Sequence, residues 1–234
     1  MSNLPSRCAE CLVRDTSLCS AMRDDELHAL SDIARRKTFP AGQVVTWSGD
    51  PNSLCANIVS GAVKVTASTP DGREQIVGLL YPGDFVGQPF AQDAPLTITA
   101  VGETDLCLFP RGPFQRTLDE HRAVERKLLE RTMESLNDAQ NRILALGRKN
   151  AVERIASFLL EVSERMGVDE DDGASEIALP ISRGEMADYL GLTIETVSRQ
   201  LTRLRKDGVI ALEKGDRSCT ILSRERLAAI ADPD

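Results

Sequence analysis

Between Phe39 and Phe109 the hydrophobic positions fall into short strand-like runs, and glycine-containing turns separate these runs. The turns are Ala41-Gly42, Ser48-Gly49-Asp50, Ser60-Gly61, Asp71-Gly72 and Pro82-Gly83-Asp84. Turn signals at this spacing are typical of antiparallel hairpins. The pattern predicts strands that close into a barrel or roll, with Trp47 in the core. A short amphipathic helix over Asp24–Arg36 is expected to precede it.

After Pro113 the apolar positions recur every three to five residues, which indicates a long helix over residues 113–147. The apolar stripe comprises Val124, Leu128, Met133, Leu136, Ala139 or Gln140, Ile143 and Leu146. A helix of roughly 30 residues spans about 45 Å, more than a small barrel can cover. A helix–helix dimer is therefore favoured over packing of the stripe on its own barrel.

The remaining residues, 148–234, have the pattern of a winged helix-turn-helix. The expected elements are a helix over Ala151–Met166, an acidic loop over Val168–Glu176, helices over Arg183–Leu190 and Thr193–Leu204, and strands over Val209–Glu213 and Ser218–Leu222. The two short helices meet at Gly191-Leu192, and the two strands turn at Lys214-Gly215-Asp216. Together with the roll in residues 23–112, these elements predict an α+β protein.

The second helix of this motif has the composition of a DNA reader. Ile194, Val197 and Leu201 are spaced to face inward, and the residues expected to contact DNA are Thr193, Glu195, Ser198, Arg199, Arg203, Arg205 and Lys206. Thr193 caps the helix, and its N-terminal part enters the major groove in this motif. There Arg pairs with guanine and Glu accepts from cytosine, whereas the basic C-terminal end suits phosphates. The alternative is an ordinary helical hairpin with solvated charges.

The charge distribution agrees with selective DNA binding. The 234-residue chain has 28 Lys and Arg against 36 Asp and Glu, so its formal net charge is −8. Such a balance argues against non-specific nucleic-acid binding by the whole surface. No apolar run approaches the ~20 residues of a membrane span, and the first residues lack a secretory pattern. We therefore expect a cytoplasmic protein with reduced cysteines and no membrane partner.

Three of the six cysteines, Cys8, Cys11 and Cys19, lie in a C-x2-C-x7-C run, and Cys107 follows in the strand-rich region. Clustered thiolates in a soluble chain indicate a metal or an iron–sulfur cluster more often than a disulfide. Residues 1–22 have little periodicity and are expected to order mainly around a bound cofactor. Cys55 and Cys219 lie in apolar runs and are interpreted as buried side chains rather than ligands.

Two other classes of metal protein fit these cysteines less well. Structural zinc usually takes two close pairs of ligands, and Cys19 and Cys107 do not form one. The spacing differs from that of ferredoxins. The sequence contains no pairing of a nucleophile with a base that would indicate an enzyme. His28 and His121 are expected at the surface or at helix caps.

Several segments resemble the cyclic-AMP receptor (Crp/Fnr) superfamily of bacterial transcription regulators. Gly191–Arg199 resembles its recognition segment, and the likeness covers about residues 24–225. Arg73–Gly78, Gly83–Gly87 and Glu103–Cys107 are most similar to the FNR branch, the oxygen-responsive regulators. The resemblance implies a cyclic-nucleotide-binding-like β-roll, a dimerisation helix and a winged helix-turn-helix.

That branch holds a [4Fe-4S] cluster on three N-terminal cysteines and one in the β-roll, which implies the ligands Cys8, Cys11, Cys19 and Cys107. The spacing of seven between the second and third ligands resembles the alphaproteobacterial FnrL and FnrN proteins. The resemblance further implies a homodimer that binds a palindrome close to TTGAT-N4-ATCAA without oxygen, with RNA polymerase as a partner. Known members have an acidic residue in the dimer helix where this chain has Ala139.

The resemblance leaves two further questions about ligands. A cyclic-nucleotide pocket needs a cation for the phosphate, and Gln88–Ala100 contains no Arg or Lys, which argues against cyclic-nucleotide binding. The alternative to the cluster is a cluster-free FixK-like or haem-dependent regulator of the same superfamily.

Overall fold

The computed structural model describes residues 5–166, 174–212 and 218–233. Its internal contacts divide the chain into two units, Met1–Asp138 and Ala139–Asp234. The boundary between the two units lies inside a helix, whereas the sequence predicts divisions after residues 22, 112 and 147. None of the helices in the described part of the chain is long and apolar enough to cross a membrane.

The first unit contains the predicted β-roll. Its strands are β1 (Arg35–Phe39), β2 (Val44–Thr46), β3 (Leu54–Ser60), β4 (Val63–Ser68), β5 (Glu74–Leu80), β6 (Phe85–Val86), β7 (Thr97–Ala100) and β8 (Thr104–Pro110). They form two antiparallel sheets in the orders β1-β8-β3-β6 and β2-β7-β4-β5. The core between the sheets includes Ile58, Val63 and Leu106. Trp47 does not belong to it: its side chain is 59% exposed, so that prediction is wrong.

The N-terminal arm, the described residues 5–22, packs against the outer side of this roll. It contains α1 (Ser6–Ala9) and a 3-10 helix (Leu18–Ala21), and α2 (Leu27–Ile33) follows. Leu18 and Met22 are buried in a second hydrophobic core. The arm therefore has apolar anchors of its own, contrary to the expectation that a cofactor mainly orders it. The helix expected over Asp24–Arg36 is shorter, because its last two residues pair with β8 in strand β1.

Two helices follow the roll where the sequence predicted one: α3 (Arg111–Glu120) and α4 (Arg122–Arg148), with His121 as the C-cap of α3. Val124 and Leu128 of α4 are buried in the second core of their own unit. This corrects their assignment to the dimer face, since a helical period alone does not identify the partner. The exposed large apolar side chains of α4 are Leu129, Met133, Leu136, Ile143 and Leu144, and Ala139 is exposed with them.

The second unit is the predicted winged helix-turn-helix. Its elements are α5 (Ala151–Arg165), β9 (Ser175–Ala178), α6 (Arg183–Leu190), α7 (Ile194–Lys206), β10 (Ile210–Leu212), β11 (Ser218–Ile221) and α8 (Arg224–Ala231). The wing has three strands in the order β10-β11-β9, one more than expected, because Ser175 and Glu176 of the predicted loop lie in β9. Residues 168–173 of that loop and the turn at 214–216 lie outside the described residues.

Candidate cysteine centre and DNA interface

Cys107 lies in the middle of a polar row across three neighbouring strands. In the register of the sheet it is opposite Arg36 of β1 on one side and opposite Asn57 of β3 on the other. Directly opposed residues in antiparallel strands share a face, so these three side chains point to the same side of the sheet. Their neighbours Leu106 and Leu108 point the other way, into the core of the roll.

The N-terminal arm brings the other three cysteines to this face. Cys8 lies in α1, and the amide of Cys11 donates to the carbonyl of Cys8 at 3.4 Å, which makes a tight turn. Cys19 lies in the 3-10 helix, where its amide donates to the Ser17 hydroxyl at 3.3 Å. The four predicted ligands line one cavity that is partly open to solvent.

The cysteines excluded as ligands lie elsewhere. Cys55 is buried in the second core of the first unit, and Cys219 is buried in the wing strand β11. Burial raises the pKa of each to about 12. Both therefore remain neutral thiols that contribute apolar contacts, as their sequence context predicts.

The electrostatics of the cavity oppose free thiolates. Burial raises the pKa of Cys19 to about 11 and that of Cys107 to about 12, and it also raises the pKa of Cys8. Charge on the neighbouring thiols acts in the same direction, whereas Arg7 lowers the pKa of Cys8 and Cys107. Metal ligation requires deprotonated thiols, and Arg7, Arg14 and Arg36 are among the residues that line the cavity.

The donor set consists of four cysteine thiols, the number that a [4Fe-4S] cluster takes. Among the described residues, no three Cys, His, Asp or Glu side chains are gathered closely enough to hold one metal ion. A structural zinc needs four ligands within about 2.3 Å of one centre. In addition, Asn57 donates from Nδ2 to Cys19 Sγ at 3.6 Å.

The helix-turn-helix is held by local caps. Ser182 and Glu185 form a capping box at the start of α6. Gly191 ends this helix with φ of 61°, a conformation in which a side chain is strained. Thr193 then starts α7, because its hydroxyl accepts from the amide of Thr196 at 3.3 Å. These are the turn and the cap that the sequence predicted.

Helix α7 has one buried and one exposed side. Val197, Leu201 and Leu204 are buried, but Ile194 is 48% exposed, which corrects its expected inward position. All but one of the predicted DNA-contacting residues are exposed: Thr193, Glu195, Arg199, Arg203, Arg205 and Lys206, with Ser198 half-buried. The backbone amide of Glu195 and the Thr193 hydroxyl lower the pKa of the Glu195 carboxyl, which keeps it an ionised acceptor.

Two arginines that the sequence did not single out position this interface. Arg154 of α5 donates to the carbonyls of Leu190 at 2.9 Å and Leu146 at 2.7 Å. Arg226 of α8 donates to the carbonyl of Asp207 at 2.8 Å, just beyond the end of α7. Their partners are backbone carbonyls, which every residue carries, so no residue pattern could have identified them.

A β-roll joined by a long helix to a winged helix-turn-helix has the architecture of a DNA-binding transcription regulator. Residues 153–230 match the family model described as Crp-like helix-turn-helix domain, and residues 36–121 match the one described as cyclic nucleotide-binding domain. The transcriptional activator protein FnrL of Cereibacter sphaeroides is 42% identical over 231 residues, which cover 97% of this chain and 93% of that relative.

Two FixK proteins are similar as well. The nitrogen fixation regulation protein FixK of Bradyrhizobium diazoefficiens is 36% identical over 225 residues, which cover 96% of this chain and 93% of that relative. The structure of FixK2 from Bradyrhizobium japonicum has a TM-score of 0.78 at 33% identity, covering 86% of this chain and 99% of that chain. The chain belongs to the Crp/Fnr family of transcription regulators. It is therefore a regulator rather than an enzyme, with DNA and a second copy of itself as partners.

Proposed function

We propose that this chain is an oxygen-sensing, [4Fe-4S]-dependent transcription regulator that acts in the cytoplasm and binds DNA as a dimer when oxygen is low. The observation that carries the proposal is the meeting of Cys8, Cys11 and Cys19 with Cys107 at one cavity. Three of these thiols come from the arm and the fourth from β8. Ligation by all four would cross-link the arm to the roll.

The cluster supplies the reaction with oxygen. The residues of the chain hold it and determine what its loss releases. Arg7 lowers the pKa of Cys8 and Cys107, Arg14 lowers the pKa of Cys8, and the Asn57 amide donates to a ligand sulfur. Hydrogen bonds to ligand sulfurs and nearby charge tune the reduction potential of such clusters. When the ligation is lost, the arm loses its attachment to β8.

The output of the proposed switch is the DNA affinity of the dimer. The exposed stripe of α4 at Leu129, Met133, Leu136 and Ile143 has the alternating spacing of a coiled-coil seam and is proposed as the dimer contact. Each copy then offers one α7 to one half-site, with the half-sites about one helical turn apart. We propose an operator close to TTGAT-N4-ATCAA and RNA polymerase as a partner.

The test is a set of cysteine-to-serine variants purified under argon, with iron and sulfide content and the visible spectrum as readouts. Each of Cys8→Ser, Cys11→Ser, Cys19→Ser and Cys107→Ser should abolish the chromophore. The buried cysteines provide matched controls, so Cys55→Ser and Cys219→Ser should retain it. A Cys107→Ser protein with full iron and sulfide content would falsify the ligand assignment.

A cluster-free FixK-like regulator is the second candidate, because the FixK proteins are 36% and 33% identical to this chain over most of its length. The wild-type protein distinguishes the two candidates. Iron and sulfide in the anaerobic protein, with DNA binding that falls on exposure to air, support the cluster. Anaerobic protein without iron or sulfide, and with DNA binding that air leaves unchanged, supports the FixK-like candidate.

A further inference from the structure

Helix α4 has two sides with different contacts in the first unit. Val124 and Leu128 are buried in the second core together with Leu18, the residue next to Cys19. The exposed residues Leu129 and Met133 lie about 140° around the helix axis from them. The side that contacts the cysteine arm and the apolar exposed side therefore belong to the same few turns of one helix.

Arg131 extends the inner side of α4 by one turn and contacts the arm directly. Its Nη2 donates to the backbone carbonyl of Thr16, and its Nη1 donates to Glu134 of the same helix at 2.8 Å. Thr16 lies between Cys11 and Cys19, at the middle of the loop that connects two proposed ligands. This is a polar contact between that loop and α4 in addition to the apolar one through Leu18.

The other side of Thr16 is confined as well. Gly83 has φ of 92°, and a Cβ atom there would lie 2.9 Å from the Thr16 hydroxyl oxygen. The side chain of Thr16 therefore packs against the Gly83 turn of the roll, while its carbonyl accepts from the guanidinium of Arg131. Hydrogen bonds weaken steeply once the donor and acceptor separate or lose alignment, so a small displacement of the loop is enough to break this contact.

We propose that Arg131 is a positioning residue that couples the state of the cysteine loop to the apolar side of α4. This inference rests on the proposed function, because the loop changes state only when a ligated group is gained or lost. With the loop in place, Arg131 and Leu18 fix the rotation and height of α4 and thereby the placement of Leu129 and Met133. Without that attachment, the helix loses its polar contact at Arg131.

The test compares dimer dissociation constants of the cluster-loaded and cluster-free forms by anaerobic sedimentation equilibrium. The ratio of the cluster-free to the cluster-loaded dissociation constant measures coupling rather than stability. Arg131→Ala should keep wild-type iron and sulfide content, whereas the ratio should fall by about 10-fold, the order expected for one hydrogen bond to a charged group. Hydrogen exchange at the amides of residues 13–20 should become faster in this variant.

Arg126→Ala is the matched control, since Arg126 is a more exposed arginine of α4 that pairs only with Glu130 of the same helix among the contacts described. It should leave the ratio unchanged. If Arg131→Ala does not fold, Arg131→Lys, whose ammonium lacks the fork geometry needed for both partners, should lower the ratio at least about threefold. A wild-type ratio in a folded Arg131 variant overturns the inference alone, whereas wild-type protein without iron overturns the proposed function as well.

Discussion

Replacing Arg154 by Ala tests how the DNA-binding unit holds its turn. The guanidinium donates to the carbonyls of Lys149 at 2.9 Å, Leu190 at 2.9 Å and Leu146 at 2.7 Å. The carbonyls of Leu146 and Leu190 lie in the last turns of α4 and α6, where carbonyl groups have no partner within their own helix. One side chain therefore joins the ends of two helices to α5.

The magnitude follows from these three contacts. A hydrogen bond from a charged group contributes about 1.5–3 kcal/mol, and three bonds from one guanidinium do not add fully because water replaces part of them in a half-buried site. We expect Arg154→Ala to lower the free energy of unfolding of this unit by about 2–4 kcal/mol. The affinity for DNA should fall with it, since Leu190 directly precedes the turn to α7.

Urea unfolding followed by circular dichroism, with hydrogen exchange of peptides from α6 and α7, measures this loss. Arg148→Ala is the control, because Arg148 is exposed at the end of α4. It should change the free energy of unfolding by less than about 0.5 kcal/mol. If Arg154→Ala costs no more than this control, the three hydrogen bonds do not stabilise the unit and the reasoning is wrong.

Further predictions concern the two partners of the chain. Leu136→Glu should produce monomers in light scattering, because burying an unpaired charge costs several kcal/mol, whereas Ser135→Glu beside the stripe should leave dimers. Arg199→Ala should cost about 1–3 kcal/mol of DNA affinity and relax the preference at one guanine. Lys206→Ala should weaken all sequences alike and reduce the salt slope by about 1 in binding measured at several salt concentrations. Equal loss on every operator for Arg199→Ala would contradict the placement of α7.

The sequence predicted those parts of the fold that local patterns determine. Glycine turns mark the hairpins of the roll, and the helix-turn-helix follows from Gly191 and the Thr193 cap, both of which the structure confirms. For the first two residues of the wing strand β9, Ser175 and Glu176, the sequence predicts a loop instead, because four residues beside an acidic stretch carry little periodicity. Its pairing with β11 is a tertiary contact that no local pattern contains.

The misplaced apolar residues have a common physical reason. A period of 3.6 identifies the apolar positions of a helix but not the surface that each of them meets. Val124 and Leu128 therefore read as part of one stripe with Met133, although the first two are buried in their own unit. Trp47 likewise shows that an aromatic residue in a strand-rich region is not buried merely because it is apolar.

Part of the cysteine centre can be predicted from local sequence patterns, and part depends on tertiary contacts. The spacing of Cys8, Cys11 and Cys19 marks a ligand run in the sequence, and the resemblance supplies Cys107. The row of Arg36, Cys107 and Asn57 depends on strand register, which only the structure reveals. For that reason the sequence does not predict the charged and amide side chains around the thiols, although these side chains influence how the cavity tolerates negative charge.

Cluster loss and dimer loss can be separated by pairing Cys107→Ser with Leu136→Glu. Under the proposed function both variants should bind the operator weakly without oxygen, the first because the arm is not attached to β8 and the second because the seam is broken. Their iron content should differ: Leu136 is exposed on the side of α4 that faces away from the arm, so Leu136→Glu should retain the iron and sulfide that Cys107→Ser loses. If Leu136→Glu also loses the cluster, ligation depends on the dimer rather than the reverse.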